Sequence, residues 1–207
     1  WEIMKAYGIP DKFIVMVKAF YRNSRMSVQH GSRKSEWFEV KSGVKQGCVM
    51  SGFLFLLIVD WIMRRTLSEG KSGIRWRLLD SLEDLEYADD IVLLAETWKH
   101  AQEKLNKLNM YGLQTGLRIN TYKTESMRIN AMRDTSFTVN EKDIKDTNVF
   151  TYLGATITTS GGASEDMKIR IGKARNAYHR LKKLWNSGQY RRKTKLKVFQ
   201  SDVISVL

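Results

Sequence analysis

The sequence predicts an α+β fold, a mainly antiparallel sheet backed by helices and followed by a helical, basic tail, on three observations. Short apolar runs bounded by turn-forming residues recur between residues 26 and 157, as strands require. Among them lie segments that are apolar at three- and four-residue spacing, or apolar throughout, as helices packed on a sheet require. Past residue 160 the strand signals stop, and one apolar stripe runs along a segment rich in lysine and arginine.

Taken in order, Pro10 followed by Phe13, Val17 and Phe20 predicts a helix over 11–21 with those three on its apolar face. Residues 26–29 and 37–40 flank the polar segment 30–35 and read as a hairpin. The loop Ser42-Gly43-Val44-Lys45-Gln46-Gly47 leads into residues 53–65, apolar on nearly every face and so expected to be buried all round. Taken alone, this loop reads as an ordinary helix-entry turn, with Ser42 or Ser51 as its cap.

Residues 74–79, 85–87 and 91–95 read as strands, with Ala88-Asp89-Asp90 at the tight connection between the last two. From Thr97, the positions Ala101, Leu105, Leu108 and Tyr111 mark a helix that Gly112 or Gly116 ends. A strand pair over 117–120 and 125–130 follows, then strands at 137–139 and 149–157, the last broken by Gly154. In the tail Met167, Ile171, Ala174, Tyr178, Leu181 and Trp185 form one stripe on a long helix, and a second helix starts near Arg191. The Ser160-Gly161-Gly162 step is the expected boundary, giving domains 1–160 and 161–207.

With 207 residues and 43% hydrophobic content, the chain can bury a real core as one domain or as one domain with an appendage. Its 35 lysines and arginines against 22 acids give a net charge of +13, a field that attracts phosphate backbones or an anionic membrane surface. The longest apolar run, 53–59, ends at Asp60 and falls far short of the roughly 20 residues of a spanning helix, so a soluble protein is expected. A single cysteine, Cys48, permits no internal disulfide, and no secretory signal is present, which fits an intracellular setting. The three histidines are far apart and lend no support to a structural zinc site. The chain starts at Trp1 and closes on an apolar run, and both ends read as cut from something longer.

Two adjacent carboxylates at a hairpin tip set against a core repel each other unless cations neutralise them. Mg²⁺, which takes oxygen ligands from one or two carboxylates plus substrate phosphates, is the natural partner of Asp89 and Asp90. The bland alternative is an exposed turn, where Asp is common.

Tyr87-Ala88-Asp89-Asp90 followed by Ile91-Val92-Leu93-Leu94 resembles the Tyr/Phe-Ala-Asp-Asp box of non-LTR (LINE-type) retrotransposon reverse transcriptases. Gly43-Val44-Lys45-Gln46-Gly47-Cys48-Val49-Met50-Ser51 is similar to that family's Gly-Val-Arg-Gln-Gly-Cys-Pro-Leu-Ser box. Gly116-Leu117-Arg118-Ile119-Asn120 with Lys123-Thr124 resembles its Gly-Leu-Lys-Ile-Asn…Lys-Thr box, and Phe150-Thr151-Tyr152-Leu153-Gly154 its Tyr-Leu-Gly box. Four boxes in family order leave little room for chance.

The resemblance implies the second half of a polymerase palm over 1–160 and the start of a thumb over 161–207. It implies RNA-directed DNA synthesis with Mg²⁺ or Mn²⁺ at the catalytic pair Asp89 and Asp90, an RNA template, a DNA primer and deoxynucleoside triphosphates. Gly43, Gln46, Gly47 and Lys123 would face nucleotide or template, and Tyr152, Leu153 and Gly154 would form a primer grip. In the tail, twelve lysines and arginines without one acid lie between Lys168 and Lys197. Lys173, Arg175, Arg180, Lys182, Lys183, Arg191 and Arg192 would line the template–primer duplex, while Tyr178 and Trp185 read as core.

The family also implies upstream fingers, palm and endonuclease regions in a longer parent, work in cytoplasm and nucleus, and a further palm aspartate that nothing before Gly43 resembles. Neither Asp11, at a helix start, nor Asp60, inside an apolar helix, is a credible substitute. This segment alone is therefore expected to be inactive. The rivals are a non-catalytic relic, or nucleic-acid-binding module, derived from a retroelement, and a maturase-type polymerase whose box wording fits less well.

Overall fold

The computed structural model describes residues 1–68, 72–76, 80–131 and 135–207. Two compact units emerge: Trp1–Asn120 with Thr138–Glu141, and Thr121–Phe137 with Lys142–Leu207. The sequence expectation places its boundary near 160 instead. At that point Thr156, buried in the strand just before the turn, donates its amide to Asp166 Oδ1 at 2.8 Å in the helix just after it, so strand and helix belong to one unit.

The first unit opens with α1 (Glu2–Ala6) and α2 (Asp11–Tyr21). Strands β1 (Arg25–Met26), β2 (Gln29–His30), β3 (Arg33–Lys34) and β4 (Phe38–Glu39) follow. β1 pairs antiparallel with β4 and β2 with β3, so the expected hairpin is present and continues through the polar segment. Helix α3 (Val49–Thr66) is next, then β5 (Ile74–Arg75) antiparallel to β6 (Ser81–Leu82), β7 (Asp84–Tyr87) antiparallel to β8 (Asp90–Leu93), and α4 (Trp98–Gln114). The expected strand over 74–79 is realised at its start, and 77–79 lie outside the described residues. Gly73 is fixed by close approach, because a Cβ there would sit 2.2 Å from the Leu82 carbonyl oxygen.

Thr97 caps α4 by accepting the His100 amide at 3.2 Å. At its other end Gly116, at φ +82°, completes a Schellman motif: Gly116 N–H bonds Leu113 O at 3.1 Å, and Leu117 N–H bonds Gly112 O at 2.9 Å. Capping engages the Leu117 amide, and the expected strand at 117–120 does not form. The returning strand Thr138–Val139 is tied to α4 by the Gln102 amide, which donates to Thr138 O at 2.8 Å and accepts from Thr138 N at 3.0 Å.

Two further expectations give way. The buried face of α2 is Ile14 with Val17 and Tyr21, packed on Met4, Leu54 and Leu57, whereas Phe13 and Phe20 are exposed. Helix α3 buries Ser51, Leu54, Val59, Ile62, Met63 and Thr66 but exposes Val49, Phe53 and Leu56, so it is not enclosed all round. Composition reveals that a helix can be buried; only its neighbours decide which faces are.

In the second unit Glu125–Ser126 pairs with Lys145–Asp146 in parallel, replacing the expected pairing of 125–130 with 117–120. Val149–Tyr152 and Ala155–Thr158 form an antiparallel hairpin. Helices α5 (Ser164–Arg180), α6 (Lys182–Asn186) and α7 (Arg192–Val198) follow, with a π turn at Phe199–Val203 and a 3₁₀ turn at Ile204–Val206. Their core is Ala174, Ala177 and Val203, with Trp185 and Phe199 against it. The expected long helix breaks at Leu181, and Met167 and Ile171 stay exposed. The α+β class holds, but among the described residues the strands form two-stranded ladders rather than one antiparallel sheet. No described helix is long and apolar enough to cross a membrane.

Candidate active site

The β7–β8 register, Tyr87 opposite Asp90 and Asp84 opposite Leu93, leaves Ala88 and Asp89 as a two-residue turn. Ala88 takes φ +55° while Asp89 does not turn positive, the pattern of a type II′ hairpin turn, where glycine is usual. The tip is exposed, with Tyr87 at 61%, and not held against a core as the sequence suggested. Water lessens the repulsion between the two acids. Among the described residues neither carboxylate has a side-chain hydrogen bond or an ion pair, so their oxygens are free to accept a ligand.

As a donor set the two carboxylates suit a hard divalent cation. They supply only part of a coordination sphere: no cluster of three or more His, Cys, Asp or Glu among the described residues could hold a metal ion. Asp60, the other acid weighed from sequence, accepts from the Tyr7 hydroxyl and from Arg64 Nε at 2.8 Å. It belongs to a second acidic group. Alternation puts Asp84 and Glu86 on the hairpin face opposite Asp90. There desolvation, a hydrogen bond with Asp84 and the charges of Asp84 and Asp60 push Glu86 up to about 7.

The open end of the hairpin holds a residue that the sequence reading passed over. Lys104 of α4, 4% exposed, donates to Glu83 Oε2 at 2.5 Å and to Leu94 O at 2.6 Å. Glu83 also accepts from Ser81 Oγ at 2.7 Å and from Ser72 N at 3.2 Å. Burial works against its charge, but Lys104, Ser81 and the Gly73 amide outweigh it and hold the carboxyl at about 2. A signal existed: position 104 falls between Ala101 and Leu108 on the apolar stripe of its helix.

The glycine loop is fixed at both ends. Lys45 Nζ donates to Phe20 O at 2.7 Å at the end of α2, and Ser51 Oγ donates to Lys45 O at 2.6 Å. Cys48 is the N-cap of α3, so neither Ser42 nor Ser51 is. Gly43 at φ +83° and Gly47 at φ +80° face open space, so conformation and not crowding demands glycine there. Gln46 between them is exposed. No hydrogen bond or ion pair among the described residues links this loop to the Asp89–Asp90 turn.

The remaining candidates belong to the second unit. Lys123 is exposed in the turn before Glu125. Leu153 (φ +49°) and Gly154 (φ +85°) form a type I′ turn beyond Tyr152, with Leu153 56% exposed, so this is a hairpin tip and not a bulge in a packed strand. Lys173, Arg175, Arg180, Lys182, Lys183, Arg191 and Arg192 are all exposed. Lys168 and Arg170 are instead paired with Glu165 and Asp166. Tyr178 stacks on Trp185 with ring centroids 5.3 Å apart and accepts its indole N–H through the backbone oxygen at 2.7 Å. Trp185 lies against the core as expected, but Tyr178, 44% exposed, covers it from outside and is not a core residue.

A family model described as reverse transcriptase (RNA-dependent DNA polymerase) matches residues 1–157. Over 172 residues, 78% of this chain, 30% are identical to the Retrovirus-related Pol polyprotein from type-2 retrotransposable element R2DM of Drosophila melanogaster. Over 170 residues, 77% of the chain, 27% are identical to the Pol polyprotein from type-1 retrotransposable element R2 of Popillia japonica. The aligned segments make up 16% and 28% of those two relatives, so the chain spans less than a third of either.

Proposed function

The chain belongs to the reverse transcriptase family of non-LTR retrotransposons, and from that premise we propose that it forms the catalytic-hairpin half of a palm and the start of a thumb in an RNA-directed DNA polymerase. The observation that carries this reading is the β7–β8 tip, where two adjacent exposed carboxylates without side-chain partners among the described residues stand at a two-residue turn. Asp89 and Asp90 would hold Mg²⁺ or Mn²⁺, which when bound neutralises charge on the triphosphate and acidifies the primer 3′ hydroxyl.

The chain's own contribution is placement. Asp89 and Asp90 present exposed carboxylate oxygens that no side chain among the described residues occupies. The left-handed glycines at 43 and 47 expose loop backbone around Gln46 to nucleotide or template. Lys123 is available to the triphosphate. The Tyr152-Leu153-Gly154 tip would support the primer end, and the seven exposed tail cations would follow the phosphates of an RNA–DNA duplex.

Primer extension on an RNA template tests this, using a polymerase that carries this chain together with the flanking regions that its relatives possess. Extension should vanish with EDTA and with Asp89→Ala or Asp90→Ala. Extension that survives either substitution would overturn the assignment. If no extension occurs but salt-sensitive duplex binding persists, the retroelement-derived binding module takes its place. The 207-residue chain alone should extend primers little or not at all, since it offers two carboxylates of a larger ligand set.

A further inference from the structure

We infer that Lys104 is a positioning residue for the Asp89–Asp90 turn, a latch that joins both strands of the acidic hairpin to α4 at their open end. The inference rests on the proposed role of that turn and adds a residue to it.

A two-stranded hairpin is marginal by itself, and this one carries its acids at the end opposite Glu83 and Leu94. The ladder runs from Tyr87–Asp90 to Asp84–Leu93 and gains one further rung, Leu94 N–H to Glu83 O at 2.8 Å. Lys104 closes that rung from the side. Its ammonium bonds the carbonyl of Leu94, which leaves β8, and the carboxylate of Glu83, which enters β7; Glu83 O lies a further 3.4 Å away.

A lysine suits this place for a plain reason. It has three donors, and here three acceptors surround it with only 4% of the residue left to water. An ammonium buried this deeply is costly unless every proton is directed at an oxygen, so its position is defined by the two strand ends it binds. Glu83 is itself held by Ser81 and Ser72, which extends the anchor to β6 and to the segment before β5. With the base fixed and the tip free, the strands set where the two carboxylates stand.

The test uses the 207-residue chain and two readouts: amide hydrogen exchange over residues 84–94, and paramagnetic broadening of the Asp89 and Asp90 amides by added Mn²⁺. Three proteins are compared: wild type, Lys104→Met, and Lys104→Met with Glu83→Gln, which removes the charge left unpaired by the first change. Lys104→Met should lower protection over 84–94 by about tenfold or more, and the Mn²⁺ needed for half-maximal broadening should rise several-fold. The Val149–Thr158 hairpin should keep its protection.

The double variant should regain most of the lost melting temperature without regaining hairpin protection or the Mn²⁺ response. If it regains all three, Lys104 only balances the charge of Glu83, and the inference is wrong. Unchanged exchange in both variants would be equally fatal. Should Lys104→Met fail to fold, the double variant decides. Should wild type show no broadening at all, the metal reading of Asp89 and Asp90 fails, while exchange still decides whether Lys104 holds the hairpin.

Discussion

The two four-residue hairpins of this chain are built alike and held differently. Each has a two-residue turn with a non-glycine residue at positive φ, Ala88 in one and Leu153 in the other. The acidic hairpin is anchored at its open end through a buried ammonium and carries two exposed acids at its tip. The Val149–Thr158 hairpin is held along its flank: Thr156 and Thr158 are buried, and Thr156 donates its amide to Asp166, which Arg170 also binds. Anchoring a hairpin at its base leaves a rigid support with an accessible tip. Flank packing stabilises the strands but spends a face.

The largest contrast should appear in catalysis. In a polymerase carrying this chain, Asp89→Ala or Asp90→Ala should lower primer extension by more than about a hundredfold, because a metal carboxylate is lost. Thermal stability should hold or rise slightly as the two like charges are separated from each other. A large loss of melting temperature would mean that these acids are structural.

Next comes Lys104→Met, which leaves the part-buried Glu83 carboxylate without its cation and should cost up to about 3 kcal/mol of unfolding free energy. Asp166→Ala, at the corresponding support of the other hairpin, should cost less, since the cation it leaves unpaired, Arg170, is 40% exposed and can turn to water. Chemical denaturation of both variants would rank them, and a reversed order would break the comparison.

The pH dependence of the two hairpins should differ in shape. Glu83, depressed to about 2, contributes stability that is present above its unfolded pKa near 4.5 and lost as pH falls toward 2, about 3 kcal/mol in all. Glu86, raised to about 7, acts with the opposite sign: stability declines as pH rises from about 4.5 through 7. Exchange protection of the acidic hairpin should therefore peak between those limits. The other hairpin, supported by a lowered Asp166, should show only the acid limb.

The smallest effect is at the turns. Ala88→Gly and Leu153→Gly each exchange left-handed strain of about 1–2 kcal/mol for about 0.5–1 kcal/mol of added chain entropy, so both should stabilise slightly. Melting curves that fall in both variants would show that the side chains make contacts worth more than the strain.

Local signals were legible. Thr97 and Gly116 bounded α4 as expected, Pro10 marked the start of α2, and the acidic turn between 87 and 90 was readable from flanking apolar runs. Trp185 packs on the core as the stripe implied, whereas Tyr178 stacks on it but stays 44% exposed. What failed was non-local. The parallel pairing of Glu125–Ser126 with Lys145–Asp146 closes a loop of chain that no periodicity announces. Phe13 and Phe20 carry the same apolar signal as Ile14, and α2 turned Ile14 inward.

By itself the sequence determined the family, the α+β class, the +13 charge with its cationic tail, and the two adjacent acids at a tight turn. These follow from residue order over a few positions and from composition. Only the tertiary structure decided that the acids stand in water, that Asp60 is taken up by Tyr7 and Arg64, and that a lysine on an apolar stripe closes the base of the acidic hairpin. Burial and hydrogen-bond partners depend on which distant segments come together, and a lysine carries the same charge in sequence whether it ends in solvent or between two strands.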